Sequence, residues 1–127
     1  MSDGEGNQQD RSPRFDLVER TACDGEAVIH FLKRVPLGPI TNPLITQLVK
    51  AATSIGANYG EADDAFSKRE FRHRIGISRK ESGESKHFLR MIVAAVPELK
   101  PDARILWKEA DELHRIFSAI FRRSEDK

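Results

Sequence analysis

Apolar residues recur at alternating steps of three and four along four segments of this 127-residue chain. Such spacing puts them on one face of an α-helix, which turns once every 3.6 residues. No segment of useful length alternates apolar and polar residues as a β-strand would. The first two predicted faces are Phe15, Val18, Ala22, Gly25, Ile29 and Leu32, followed by Ile45, Leu48, Ala52, Ile55, Tyr59 and Ala62.

The ends of the helices are marked by prolines and by capping residues. The proline-dense loop of residues 36–43 separates the first two helices, and Asn42 is the predicted N-cap of the second, with Pro43 in its first turn. That helix is expected to end between residues 60 and 64. Ser67 and Glu70 have the spacing of a capping box that starts a third helix, and Phe66 is expected to staple onto Phe71.

The third helix has a narrow inner face, because serines occupy the middle of its stripe. Short connectors join helices two to four, and this combination predicts an all-α, antiparallel, up-down-up-down four-helix bundle over residues 14–123. Residues 1–13 are polar and predicted to be a disordered tail, and residues 124–127 a frayed one. The third and fourth faces are Phe71, Ile75, Ser78, Ser82, Ser85, Leu89, Ile92 and Val96, then Leu106, Ala110, Leu113, Phe117 and Ile120.

Composition argues against several classes of protein. A single cysteine, Cys23, cannot form an internal disulfide and fits a reducing compartment, and we expect it to be a small buried residue. The chain has no apolar run of membrane-spanning length and no secretory apolar segment near its start. A cytoplasmic protein without a membrane partner is therefore expected.

No arrangement of residues indicates catalysis, a cofactor or a metal site. The four histidines lack the spacing of a zinc-protease helix, and a single cysteine cannot supply a zinc site of paired cysteines. Glu84 and His87 have the spacing of one half of a di-iron motif, but a second half is missing. The expectation is a non-enzymatic protein without cofactors.

Basic residues are concentrated on the third helix. Residues 67–90 hold eight Lys and Arg against three Glu, although the formal net charge of the chain is only +1. A helical projection puts most of these cations on one flank, with Gly76 and Gly83, and the glutamates on the other. A row of cations suits phosphate binding. The candidate nucleic-acid-binding residues are Arg69, Arg72, Arg79, Lys80, Lys86 and Arg90.

Two other interpretations remain open for this helix. It could be an ordinary solvated face, or its opposite charges could form a head-to-tail subunit contact. On the fourth helix, Trp107, His114 and Phe121 recur every seven residues, and this second seam suits a subunit contact or merely a cover for the core. The candidate interface residues are Gly76, Gly83, Glu70, Glu81, Glu84, Trp107, His114 and Phe121.

The segments "TSIGANYGEA", "SKREF" and "IGISRKESGES" resemble the 23S rRNA intervening-sequence protein family. The similarity extends over most of residues 15–123. It implies a four-helix bundle without enzymatic activity that assembles into a homopentameric ring. It also extends to accessory proteins of diversity-generating retroelements, which bind a reverse transcriptase and nucleic acid. The acidic residues Glu61, Asp63 and Asp64 depart from the family pattern, in which this corner often carries a basic residue.

Two functions therefore compete. The first is binding of structured RNA through the basic flank by a ring of identical chains. The second is an assembly or adaptor role, in which the ring docks a protein partner such as a reverse transcriptase and the basic flank lies between subunits.

Overall fold

The computed structural model describes the backbone of residues 13–124 and the side chains of residues 17–124. Within this range the chain forms α-helices and no strand, which confirms the predicted all-α class. The tail predictions fall mostly outside the described residues, as does the side chain of Phe15. The helices are α1 (Pro13–Leu32), α2 (Thr41–Asp63), α3 (Lys68–Ala95) and α4 (Lys100–Arg123), with a 3-10 turn at Pro97–Leu99 before α4.

The four helices form a closed antiparallel bundle. Each helix packs against the next one in the chain, most extensively α2 against α3 and α3 against α4, and α1 also contacts α4. Within residues 13–124, the diagonal pairs α1–α3 and α2–α4 make no backbone approach of comparable closeness. This arrangement confirms the predicted up-down-up-down topology, and it makes α4 the neighbour of both α3 and α1.

The core consists of two apolar clusters with a narrow polar segment on α3 between them. One cluster surrounds Phe31 and Leu48, and the other surrounds Tyr59 and Phe117. The α3 segment that joins them carries three buried serines. The Oγ atoms of two of them donate within the bundle, one to the carbonyl of Ile55 at 2.9 Å and the other to that of Ser78 at 2.8 Å. These serines are Ser78, Ser82 and Ser85, as the sequence predicted.

The predicted face of α1 is only partly correct. Gly25 and Leu32 are buried as predicted, but Val18, Ala22 and Ile29 are exposed. The helix also buries two polar residues, Thr21 and Asp24. Thr21 can be buried because its hydroxyl donates to the carbonyl of Leu17 at 2.7 Å, within its own helix. The buried residues of α1 are Leu17, Thr21, Asp24, Gly25, Val28, Phe31 and Leu32.

Cys23 is also not where the sequence predicted it. Its side chain is exposed, because it lies on the outer side of α1 next to inward-facing Asp24. The thiol donates to the Glu19 carboxylate at 3.5 Å. This hydrogen bond, followed by local desolvation and the charges of Glu19 and Glu26, raises the pKa of the thiol and so disfavours the reactive thiolate.

The α2–α3 corner matches its prediction in part. α2 ends at Asp63, and the Ser67 hydroxyl accepts a hydrogen bond from the Glu70 amide at 3.0 Å, which confirms the predicted cap. The predicted hydrophobic staple is wrong, because the Phe66 side chain is fully exposed and cannot cover Phe71.

The start of α2 also differs from the prediction. The helix begins at Thr41, so Asn42 lies inside its first turn and does not cap it. The Asn42 side chain instead accepts from the Gly38 amide at 3.1 Å, and the Thr41 hydroxyl donates to the Pro36 carbonyl at 2.6 Å. Both side chains stabilise the preceding loop. None of the helices described has the length and apolar character needed to cross a membrane.

Candidate nucleic-acid interface

The basic flank of α3 lies on a continuous helix of 28 residues. The helix runs without a break through Gly76 and Gly83. Both glycines face side chains of α4. A Cβ atom at position 76 would lie 3.0 Å from Cε1 of Phe121, and one at position 83 would lie 3.6 Å from Nε2 of His114. The two glycines therefore allow α4 rings to approach the α3 backbone within one chain.

Phe121 lies beside two guanidinium groups of the flank. The Cζ atom of Arg72 is 3.6 Å from the centroid of the Phe121 ring, and that of Arg79 is 5.4 Å away. Cations at these distances are attracted to the negative face of an aromatic ring. Arg72 is half-buried against the ring, whereas Arg79 remains exposed.

Lys86 is held by α4 at the middle of the bundle. Its ammonium group donates to the Asp111 carboxylate at 2.9 Å and lies 5.3 Å from the centroid of the Trp107 ring. The hydrogen bond from Lys86, together with the positive charges of Lys86, Arg115 and His114, lowers the pKa of Asp111. Lys86 is thus a partly buried element of the α3–α4 contact.

His114 completes this contact. Partial burial lowers the pKa of its imidazole, and the nearby positive charges of Lys86 and Arg79 lower it further. The neutral imidazole is therefore favoured where α4 passes Gly83. Trp107, His114 and Phe121 thus all face the basic flank of their own chain, and their role between subunits stays a prediction.

The remaining flank cations are exposed. Arg69, Arg79 and Arg90 form no ion pair within the described residues, whereas Lys80 lies 3.6 Å from the Glu84 carboxylate. Arg69, Arg72 and Lys80 line a concavity of about 420 Å³ on the α3–α4 surface. Its other lining residues are His73, Gly76, Ile77 and Phe121.

The acidic flank is less separate from the basic one than the helical projection predicted. Glu84 pairs with Lys80, and the Glu70 amide donates to the Ser67 cap. Burial raises the pKa of Glu81, and the neighbouring charge of Glu84 raises it further, while Lys80 and Lys50 oppose this. The carboxylates of Glu81 and Glu84 thus have charged neighbours within the chain, whereas the contact of Glu70 is through its backbone amide. A subunit contact through these glutamates stays a prediction.

A second concavity, of about 370 Å³, lies where α3 approaches the start of α4. Arg90 is the one flank residue that lines it, and the α4 cations Lys100, Arg104 and Lys108 also lie on its rim. Sequence reasoning missed these three residues, although their spacing of four puts them on one side of α4.

The described residues contain no group of three or more His, Cys, Asp or Glu side chains that could hold a metal ion. The arrangement on the α3–α4 surface offers cations and aromatic rings to an anionic ligand.

Comparisons with known proteins agree with this architecture. A crystal structure of a protein of unknown function from the S23 ribosomal protein family of Bacteroides thetaiotaomicron superposes with a TM-score of 0.72 and 18% sequence identity. The match covers 83% of this chain and 97% of that one, and at this identity it concerns the fold alone. No curated protein matches the sequence significantly.

The family comparison extends through all four helices. Residues 27–119 match the model of the 23S rRNA-intervening sequence protein family, from the middle of α1 nearly to the end of α4. The match includes every buried serine of α3 and both glycines that face α4. This chain therefore belongs to the 23S rRNA-intervening sequence protein family.

Proposed function

We propose that this protein is a non-enzymatic RNA-binding protein that contacts phosphates of structured RNA through the exposed cations of α3. The observation that carries the proposal is that Arg69, Arg79 and Arg90 lie on one uninterrupted helix without ion-pair partners among the described residues. The family description, which names 23S rRNA intervening sequences, supports an RNA partner.

The geometry supports contacts to the RNA backbone over a long surface. From Arg69 to Arg90 the helix rises by about 32 Å, at 1.5 Å per residue. Cations over such a length can follow phosphates but carry little information about base sequence. Arg72 and Lys86 support the surface in a different way, because their contacts with Phe121 and Asp111 hold α4 against α3.

The proposed assembly is a ring of identical chains, as the family resemblance implies. Repeating the flank around a ring would multiply the cations available to one RNA and raise its apparent affinity. The mass of the protein in solution tests the ring, and five chains are expected.

The salt dependence of RNA binding tests the phosphate contacts. Each cation removed from the phosphate backbone should reduce the slope of log affinity against log salt by about 0.9 for a duplex and about 0.7 for a single strand. We therefore expect the Arg69→Gln, Arg79→Gln double variant to bind more weakly at low salt and to have a slope shallower by about 1.4 to 1.8. Fluorescence anisotropy of a labelled hairpin RNA at several salt concentrations measures both quantities.

A matched control removes two exposed cations from outside α3 and α4, one just after α1 and one on α2. The Lys33→Gln, Lys50→Gln variant has the same net charge as the test variant and should retain the wild-type slope. Equal slopes in the two double variants would contradict specific use of the α3 flank. If the α3 double variant instead dissociates the assembly, its arginines serve subunit contacts, as the adaptor hypothesis requires.

A further inference from the structure

We infer that the groove beside Trp107 holds a base of single-stranded nucleic acid, with flanking phosphates on the cations of its rim. This inference rests on the proposed RNA-binding function and adds a second, base-contacting element on α4. It starts from the groove of about 370 Å³ between the end of α3 and the start of α4.

The floor of the groove is apolar and has an aromatic side. Leu89 and Ala103 belong to the buried core, so they form a fixed base, and Val93 is half-buried beside them. Trp107 is 39% exposed, so part of its indole ring is open to solvent beside the groove. A flat, apolar ligand surface can contact this indole.

The indole also contacts a cation of α3 that does not line the groove. Lys86 lies 5.3 Å from its ring centroid and is itself held by Asp111. Lys86 is not among the residues that line the groove, so the part of the ring that faces the groove remains open to a ligand. A preorganised aromatic ring loses little conformational entropy when a base stacks on it.

The rim of the groove carries positive charge alone. Its charged residues are Arg90, Lys100, Arg104 and Lys108, and no carboxylate lines the groove. Within residues 17–124, none of the four has an ion-pair or hydrogen-bond partner. Elsewhere on the bundle, Arg20, Arg34 and Arg115 are paired with carboxylates. The groove therefore has an uncompensated charge that selects an anionic ligand.

Two features favour a nucleic acid strand over an acidic peptide. Lys100, Arg104 and Lys108 are spaced by one turn, about 6 Å of rise each, which suits successive phosphates of an extended strand. Arg90 belongs to both the groove rim and the α3 flank, so a strand bound along the flank reaches the groove directly. Aromatic platforms beside a cationic track are the common design of single-strand binding sites.

The emission of Trp107 provides a direct test, because it is the only tryptophan in the chain. A short single-stranded uridine-rich RNA should quench this emission. An abasic ribose-phosphate oligomer of equal length has the same charge but no bases, and it should bind more weakly and leave the emission nearly unchanged. A blunt RNA duplex should bind the flank without quenching, since its bases are stacked inside.

Variants separate base stacking from charge. Trp107→Ala should weaken single-strand binding roughly 5- to 150-fold, the range expected for one base on an aromatic ring, and should leave duplex binding unchanged. Trp107→Phe should retain most of the affinity, because it keeps an aromatic ring. A merely structural defect in Trp107→Ala would instead weaken single-strand and duplex binding alike. The Lys100→Gln, Arg104→Gln, Lys108→Gln variant should reduce the salt slope for the single strand by about 0.7 for each phosphate released.

The outcomes distinguish this inference from the proposed function. Single-strand binding that neither quenches Trp107 nor depends on it overturns the groove assignment and leaves RNA binding by the α3 flank intact. Quenching by an acidic amphipathic peptide, but not by RNA, assigns the groove to a protein partner instead. If no RNA binds at low salt, both the groove assignment and the proposed function are wrong.

Discussion

Because of Asp24, the free energy of unfolding of this bundle should fall as the pH rises. The Asp24 side chain is 5% exposed in the middle of α1, and its Oδ2 atom has no hydrogen-bond partner among the described residues. Burial raises the pKa of Asp24 from 3.8 to about 7, and the negative charge of Glu109 adds to the effect, while Arg20 opposes it. Arg20 compensates little because it is already paired with Glu109 and Glu112.

The sign of the effect follows from proton linkage. Below pH 3.8 the carboxyl group is protonated in both the folded and the unfolded chain, so its ionisation does not lower the free energy of unfolding. Between pH 3.8 and about 7 the unfolded chain loses this proton and the folded chain keeps it, so stability falls by about 1.4 kcal/mol per pH unit. The total cost above pH 7 is about 4 kcal/mol, a large share of the stability of a small domain.

Replacing Asp24 by Asn removes this titration with almost no change of shape. Asp24→Asn should therefore be more stable relative to wild type at pH 8 than at pH 5, and the difference between the two pH values should be about 2.5 kcal/mol. Urea unfolding at a fixed protein concentration measures it, because the proposed assembly would make stability concentration-dependent. Asp64→Asn, the same change at an exposed position, serves as the matched control in the same assay. An equal effect of Asp24→Asn at pH 5 and pH 8 would refute the argument.

Two further predictions concern helix packing and capping. Gly56→Ala should destabilise the fold by about 1 to 3 kcal/mol, because its Cβ would lie 2.9 Å from the Thr21 hydroxyl. Gly60→Ala, four residues later on the same helix, meets no atom of the described residues within 4 Å and should stabilise the fold by roughly 0.5 to 1 kcal/mol. Urea unfolding of the two variants checks this, and a similar effect of both would contradict the assigned packing. Ser67→Ala should cost about 1 kcal/mol by removing the α3 cap, and Ser54→Ala, in the interior of α2, serves as the comparison in the same assay.

The inner faces of α2, α3 and α4 could be predicted from the sequence because their periodicity is dense and unambiguous. On α3 the three serines continue the spacing of three and four residues and are buried, as predicted. Their small size fits the close packing that was expected of this face. The start of α3 was also predictable, since a Ser67 cap depends on residues only three positions apart. Local chemistry and periodicity are properties of the sequence alone.

The face of α1 could not be found in the same way. Its buried Thr21 is accepted because α2 presents a glycine, Gly56, directly opposite. Counting apolar residues therefore favoured Val18 and Ile29, which lie on the solvent side. A buried polar residue depends on what the neighbouring helix offers, and this information lies more than thirty positions away in the sequence.

At the candidate site, too, contacts between different helices could not be predicted from the sequence. The sequence identified both the row of cations and the heptad recurrence of Trp107, His114 and Phe121, but it could not show that the two seams face each other. Only the closed arrangement of the bundle puts α4 beside α3. The groove cations of α4 were missed for the same reason, since they gain significance only next to Arg90.

The contacts between α3 and α4 divide the six flank cations into two groups. Removal of one group should weaken the packing of the bundle, and removal of the other should affect only ligand binding. Arg72 and Lys86 each bring an α4 partner against α3, so their replacement would weaken packing before any effect on a ligand could be measured. Arg69, Arg79 and Arg90 lack ion-pair partners within the described residues, and the exposed Lys80 pairs with Glu84 of its own helix. The loss of these four cations should leave the bundle intact. A variant that neutralised all six would therefore confuse a folding defect with a binding defect. Variants of the exposed arginines are therefore the ones to use in binding experiments. Variants of Arg72 and Lys86, the two cations that contact α4, are the ones to use in stability experiments.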